Sequence, residues 1–317
     1  MKRIFSIFLV LTMLIAPVAA HADEAKLSVV TTIFPPYDFV REVAGDRVQL
    51  AMLLPPGSES HSYEPTPKDI ITIQNCDVFI YGGGEGDAWV DDVLESMDTG
   101  NMKIIAMMDC VEAVEEEIVP GMEHEHEDEH EDEHEHDHDH DAELDEHVWT
   151  SPKNAVAITT VIANTLAGLD PANADAYAQN AGAYTAKLDE LDAGFRAVVE
   201  GAARKTLVFG DRFPFRYFAD AYGLDYFAAF PGCSTETEAS AATVAFLIDK
   251  ISDEGIPVVF HIELSNGRMA QSIAEETGAK VLQMHSSHNV SKDDFEGGAS
   301  YMTLMTQNIE ALKEALN

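Results

Sequence analysis

From Leu27 to Cys110, short apolar runs alternate with stretches of helical periodicity. Leu27 to Ile33, Val48 to Leu54, Asp77 to Tyr81 and Lys103 to Met108 read as strands, while Pro35 to Ala44, Pro67 to Asn75 and Asp87 to Met97 read as helices. Pro67 follows Thr66 at a first helical position, where a missing N–H costs nothing. Strands alternating with helices predict a parallel sheet covered on both faces. The pattern returns with strands at Thr206 to Phe209, Leu224 to Phe230, Pro257 to Ile262 and Lys280 to Met284. Helices are predicted over Phe213 to Tyr222, Thr235 to Asp253, Asn266 to Thr277 and Ala299 to Leu316. The expected fold class is therefore α/β, with two lobes of similar construction and no visible residue-level repeat.

Between the lobes, Pro171 to Arg204 carries Ala174, Tyr177, Ala181, Tyr184, Leu188, Leu191, Phe195 and Val198 at three- and four-residue steps. Read as one helix it would run about 50 Å at 1.5 Å per residue, long enough to join both lobes as a rigid backbone. The division expected is a first lobe over residues 23–169, a linking helix over 170–204 and a second lobe over 205–317.

The first 22 residues have the form of a secretory signal: Lys2 and Arg3, an apolar run from Ile4 to Ile15, and Ala20-His21-Ala22 as a cleavage pattern. The run is shorter than the roughly 20 residues a membrane span needs, and no cysteine near Asp23 offers a lipid anchor. An exported, soluble, periplasmic or otherwise extracytoplasmic product is expected. Cys76, Cys110 and Cys233 are too few and too scattered for a disulfide framework.

Charge narrows the partners. With 19 basic against 57 acidic residues the net charge is −38, which repels phosphate backbones and anionic lipid while favouring cations. Part of that charge lies in Glu123 to Glu146, whose 24 residues include seven histidines and fifteen acids. Such a composition cannot offset the entropy of ordering, so a mobile loop is expected over 123–146. Its histidines, interleaved with carboxylates, suit weak gathering of a borderline divalent ion but not a selective tight site.

Two histidines have ordered settings. His61 follows the strand Val48 to Leu54, and so lies at the carboxyl edge of a parallel sheet, where open α/β folds place ligands. His147 directly precedes a helix opened by Ser151 and Pro152. Together with the histidine tract they point to a metal site. His61-Ser62-Tyr63-Glu64-Pro65-Thr66-Pro67, His147-Val148-Trp149 with Ser151-Pro152, Tyr217-Phe218 before Tyr222-Gly223-Leu224, and Thr277-Gly278-Ala279-Lys280-Val281-Leu282 resemble the cluster 9 family of solute-binding proteins. The likeness runs from about Lys26 to the C-terminus.

That resemblance implies two α/β lobes joined by a long helix, a metal held in the cleft, and delivery of zinc or manganese to the permease of an ABC importer. It places the first two ligands on His61 and His147. The third falls on Arg212, which cannot ligate a cation, and the fourth falls on or beside His285. His285 follows the strand Lys280 to Met284, and Glu263 ends the strand Pro257 to Ile262, so both lie on the cleft rim. Glu263 either completes the coordination or pairs with Arg212, for which Asp211 is the other near carboxylate. His261 reads as a strand residue, and His288 as one step too far out. The expected ligand set is thus His61, His147, His285 and Glu263.

Three imidazoles with at most one carboxylate suit Zn2+ better than Mn2+. The expected function is capture of zinc as cargo by a monomer without enzymatic activity. A zinc hydrolase using three histidines with Glu263 as base, and an exported metal buffer acting through the tract, are the alternatives.

Overall fold

The computed structural model describes residues 26–122, 143–234 and 239–317. The leader reading at 1–22 and most of the histidine tract lie outside the described residues.

The first lobe runs β1 (Ser28–Thr31), α1 (Phe34–Ala44), β2 (Gln49–Met52), α2 (Pro67–Gln74), β3 (Val78–Tyr81), α3 (Trp89–Glu95) and β4 (Lys103–Ala106). Two central helices follow, α4 (Pro152–Leu169) and α5 (Ala174–Glu200). The second lobe runs β5 (Thr206–Phe213), α6 (Arg216–Tyr222), β6 (Asp225–Pro231), α7 (Ala241–Glu254), β7 (Val258–His261), α8 (Arg268–Thr277), β8 (Lys280–Gln283), α9 (Lys292–Glu296) and α10 (Tyr301–Leu316). Both sheets are four-stranded and wholly parallel, with orders β2-β1-β3-β4 and β6-β5-β7-β8. Relative to chain order these are the same topology, and in each the order in which strands are added switches sides between the two central strands, which opens a crevice at the carboxyl edge.

Alternation along the central strands explains why each sheet is covered twice. Val29, Val78 and Ile80 enter a large core that also takes Leu207, Phe209, Val258 and Phe260 from the second sheet. Their neighbours Val30 and Phe79 enter a separate cluster under α2 and α3, while Val208 and Val259 enter another under α7 and α8. The shared core is threaded by α5, whose Tyr177, Ala181, Tyr184, Leu188, Leu191, Phe195 and Val198 are all buried, and α5 packs against α1, α4 and α10.

Several boundaries differ from the sequence reading. The linking helix has 27 residues, shorter than expected at both ends. Asp170 accepts from the backbone and side chain of Asn173 and from the Tyr177 hydroxyl, so the chain turns before entering the helix. β5 runs four residues past Phe209 through an irregularity in its register with β6, and α6 therefore starts at Arg216 rather than Phe213. α7 starts at Ala241, capped by the Ser240 hydroxyl. The expected loop over 123–146 ends earlier: Leu144 pairs antiparallel with Glu115, and Asp145 and Glu146 are buried. Among the described residues no helix is long and apolar enough to cross a membrane.

Candidate metal centre

The cleft between the lobes is lined by loops leaving the carboxyl edges of both sheets. His61 sits on the loop between β2 and α2, which starts Pro55-Pro56-Gly57 and turns at Gly57 with a φ of 82°. The second lobe grips that loop: Asn289 Nδ2 donates to the carbonyls of Pro55 (2.9 Å) and Ser58 (2.8 Å), and the Gly57 N–H donates to Val290 (2.7 Å).

His147 enters just before α4. Tyr217 donates its hydroxyl proton to the Asp145 carbonyl at 2.7 Å and accepts the Val114 N–H, fixing the segment that precedes His147. Asp145 Oδ1 accepts the His147 N–H at 2.7 Å and lies 3.2 Å from Nδ1. Nε2 of this fully buried ring has no hydrogen-bond partner. A buried nitrogen left without a partner is costly unless something else fills its lone pair.

His288 arrives from the loop after β8. The Glu263 carboxylate organises that loop, accepting the Ser286 N–H (2.7 Å), the Ser286 hydroxyl (2.5 Å) and the His288 N–H (3.1 Å). Ser287 takes a φ of 64°, and this left-handed step reverses the chain between His285 and His288. The ring centroids of His61, His147 and His288 lie 5.8, 5.1 and 5.3 Å apart in pairs. Trp149 stands 4.9 Å from the His288 ring and donates its indole N–H to the Ser286 carbonyl.

Glu146 completes the group. One oxygen accepts the Gly86 N–H at 2.7 Å and the other lies 3.7 Å from His61 Nδ1. One ligating atom from each of His61, Glu146, His147 and His288 falls within 4.8 Å of all the others. Tetrahedral zinc bound at about 2.0–2.2 Å keeps its ligand atoms roughly 3.4 Å apart, so a small inward movement closes the set.

The electrostatics match a cation site. Burial, with His147 and Arg212 nearby, pushes the His61 pKa down to about 3, and burial together with His61 holds His288 well below the ordinary histidine value. Both rings are neutral at physiological pH, the form a metal ligand must take. Burial pulls His147 the same way, but the carboxylates around it, Asp145 first and then Glu146 and Glu116, together outweigh it and hold its pKa above the usual value. The Asp145 carboxylate also orients Nδ1, which leaves Nε2 for the metal. Burial raises Glu146 to about 7.

Of the expected ligands, the structure brings together His61 and His147. It does not bring His285 into the group: its Nδ1 accepts the Ser287 N–H at 2.9 Å, and its backbone is clasped by Asn308. Glu263 lines the same cavity, but both its oxygens are occupied by the loop that carries His288. The expected pairing of Arg212 with Glu263 or Asp211 is corrected, since Arg212 forks onto Glu59 at 3.2 and 3.0 Å. Asp211 instead accepts Arg212's own N–H and that of Ile262. His261 is half-buried, bonded to the Ile262 carbonyl. The sequence reading missed Glu146, which its acidic surroundings disguise, and passed over His288. The signal for Glu146 was its place beside His147, and for His288 the second histidine of the Met284-His285-Ser286-Ser287-His288 run.

Two parallel-sheet lobes, braced by a central helix and meeting over a buried cluster of imidazoles and a carboxylate, define a solute-binding protein of the metal-binding kind. The chain belongs to the family of zinc-uptake complex component A, periplasmic (ZnuA), whose family model matches residues 29–315. The high-affinity zinc uptake system protein ZnuA of Bacillus subtilis (strain 168) is 34% identical over 298 residues, covering 94% of this chain and 90% of that protein. The zinc-binding lipoprotein AdcA of Streptococcus pneumoniae is 31% identical over 292 residues, 92% of this chain but 56% of AdcA, so the chain spans little more than half of that relative. Among solved structures, the Zn(II)-bound ZnuA-like domain of Streptococcus pneumoniae AdcA superposes with a TM-score of 0.74 at 29% identity, covering 92% of this chain and 99% of that one. The metal-dependent lipoprotein YcdH of Bacillus subtilis gives 0.75 at 30% identity with the same coverage.

Proposed function

We propose that this protein captures Zn2+ outside the cytoplasmic membrane and hands it to the permease of an ABC importer, as a monomer and without catalysing a reaction. His61, His147 and His288 supply three nitrogens and Glu146 the fourth ligand. The observation that carries this reading is the partnerless, fully buried Nε2 of His147, lying among two neutral imidazoles and a carboxylate. Three nitrogens and one oxygen favour zinc over manganese. The relatives' names agree, being a high-affinity zinc uptake system protein and a zinc-binding lipoprotein.

Two features weigh against a hydrolase. The cavity at the cluster is about 20 Å³, room for an ion or a single water, and Glu263, the carboxylate that would serve as base, is engaged by backbone and hydroxyl donors instead. The histidine tract serves as a weak collector beside the tight site, and residues 1–22 as the export signal. Zinc titration of the chain with residues 123–142 deleted tests the assignment: one tight equivalent is retained if the cleft is the site. Loss of that equivalent with the tract would make the protein a buffer instead.

A further inference from the structure

Among the described residues lining the cavity at the cluster, Arg212 is the one cation, and its partner Glu59 is on the other lobe. It extends from the irregular end of β5, where it sits opposite Phe230. Both terminal nitrogens reach across the cleft to the two oxygens of Glu59, and Nη1 also donates to the Ser234 carbonyl at 3.3 Å. The arginine side chain is 14% exposed and the glutamate 42%. The guanidinium, after the opposing effect of burial, is the main influence that holds the Glu59 carboxyl below its usual range. A forked arginine–carboxylate pair fixes direction as well as distance.

Glu59 lies two residues before His61. The other ties from the second lobe to this loop, through Asn289 and Val290, stop at Ser58. Beyond that point the backbone hydrogen bond of this stretch is internal, from Tyr63 to Ser60. The segment carrying His61 is thus anchored upstream at Pro55–Ser58 and downstream by the capping box that opens α2. Apart from the contacts of the His61 ring with the rest of the cluster, the Arg212–Glu59 pair is, among the described residues, the hydrogen-bonded tie from the second lobe nearest His61 in the chain. Glu59 also neutralises a charge that would otherwise repel a cation arriving beside it.

We propose that Arg212 and Glu59 form a latch across the cleft: they hold the His61 loop closed over the bound ion and so set how fast the ion is released. Both are positioning residues, since neither belongs to the ligand group. Opening the latch lets the loop pivot about Gly57, withdraws one imidazole, and leaves the ion under-coordinated. The proposal rests on the zinc reading above, but loop closure itself can be measured without metal.

The test uses the full chain carrying Arg212→Met, Glu59→Gln, both together, or the exchanged pair Arg212→Glu with Glu59→Arg. Hydrogen exchange of the amides of residues 57–64 is followed in metal-free protein, and zinc release from the slowest site is followed into excess chelator. Each single substitution is expected to speed both by about fivefold, a surface-to-half-buried ion pair being worth on the order of that factor. The double variant should be no faster than either single one, because the second substitution removes nothing that remains, and the exchanged pair should recover part of the loss. Exchange within α5 should stay as in the unaltered chain. Unchanged loop exchange in the single variants, or effects that add in the double variant, would overturn the latch. A wild-type chain with no slow zinc phase would also overturn it, with the fault then lying in the zinc reading and not in loop closure.

Discussion

His147 owes its place to what its two ring nitrogens meet. Asp145 takes Nδ1 and the carbonyl side of the turn is held by Thr150, so Nε2 can point only into the cluster. His288 is placed through its backbone instead, its N–H donating to Glu263. His288→Ala should therefore lower zinc affinity at least tenfold, as loss of a ligand does, while His285→Ala costs markedly less in the same chelator competition. Equal losses would contradict the ligand set. The pH dependence has a definite sign. Glu146, raised to about 7 by burial, holds a proton in the metal-free protein below that pH, whereas zinc requires it ionised. His147, also held above its usual value, adds a proton to be displaced, but His61, at about 3, competes for none above pH 4 or so. Affinity should thus fall as pH drops below about 7, with proton release measurable by titration calorimetry in buffers of different ionisation enthalpy. Glu146→Gln should weaken binding and flatten that dependence; an unchanged slope would remove Glu146 from the site. His61 and His147 were legible in the sequence because a sheet edge and a helix start fix where they fall. The choice between His285 and His288 was not, because it turns on one left-handed residue, Ser287, and on a carboxylate more than twenty positions earlier in the chain.

Among the elements, the strands were read in place with their ends within two residues, since both sheets are parallel and largely buried and their runs are mostly apolar. β5 is the exception. Gly210, Asp211 and Arg212 carry no apolar signal, yet the strand continues through them to Phe213. Gly210 is required there by a close approach: a Cβ would lie 2.6 Å from the Cα of Ala270 on α8. That extension carries Arg212 to the cleft. The linking helix was legible from its periodicity, but its ends were not, because the Asp170 turn and the Gly201 cap depend on local hydrogen bonds rather than on apolar spacing. Leu188, fully buried on α5 in the core common to both sheets, offers a direct test. Leu188→Ala should cost about 2–5 kcal/mol, read as a lowered denaturation midpoint at an unchanged denaturant slope. A cost near zero would mean that α5 does not brace the lobes.

At the scale of the molecule, one hydrophobic core runs from the first sheet through α5 to the second. The lobes therefore meet as parts of one packed body, and the cleft loops rather than the lobes are the parts free to admit the ion. The acidic surface draws cations toward that cleft, and this attraction was plain from composition alone. What composition could not show is how the last residues of the acidic tract fold in beside the histidines, since Glu146 reads as one acid among fifteen until its buried carboxylate is seen to accept the Gly86 N–H. The central claim is that zinc sits in the cleft on His61, Glu146, His147 and His288. Anomalous diffraction at the zinc edge, from crystals of the chain loaded with a single equivalent, tests it most directly. The account predicts one strong peak bonded to those four side chains; a peak on His285 or Glu263, or one outside the cleft, would contradict it.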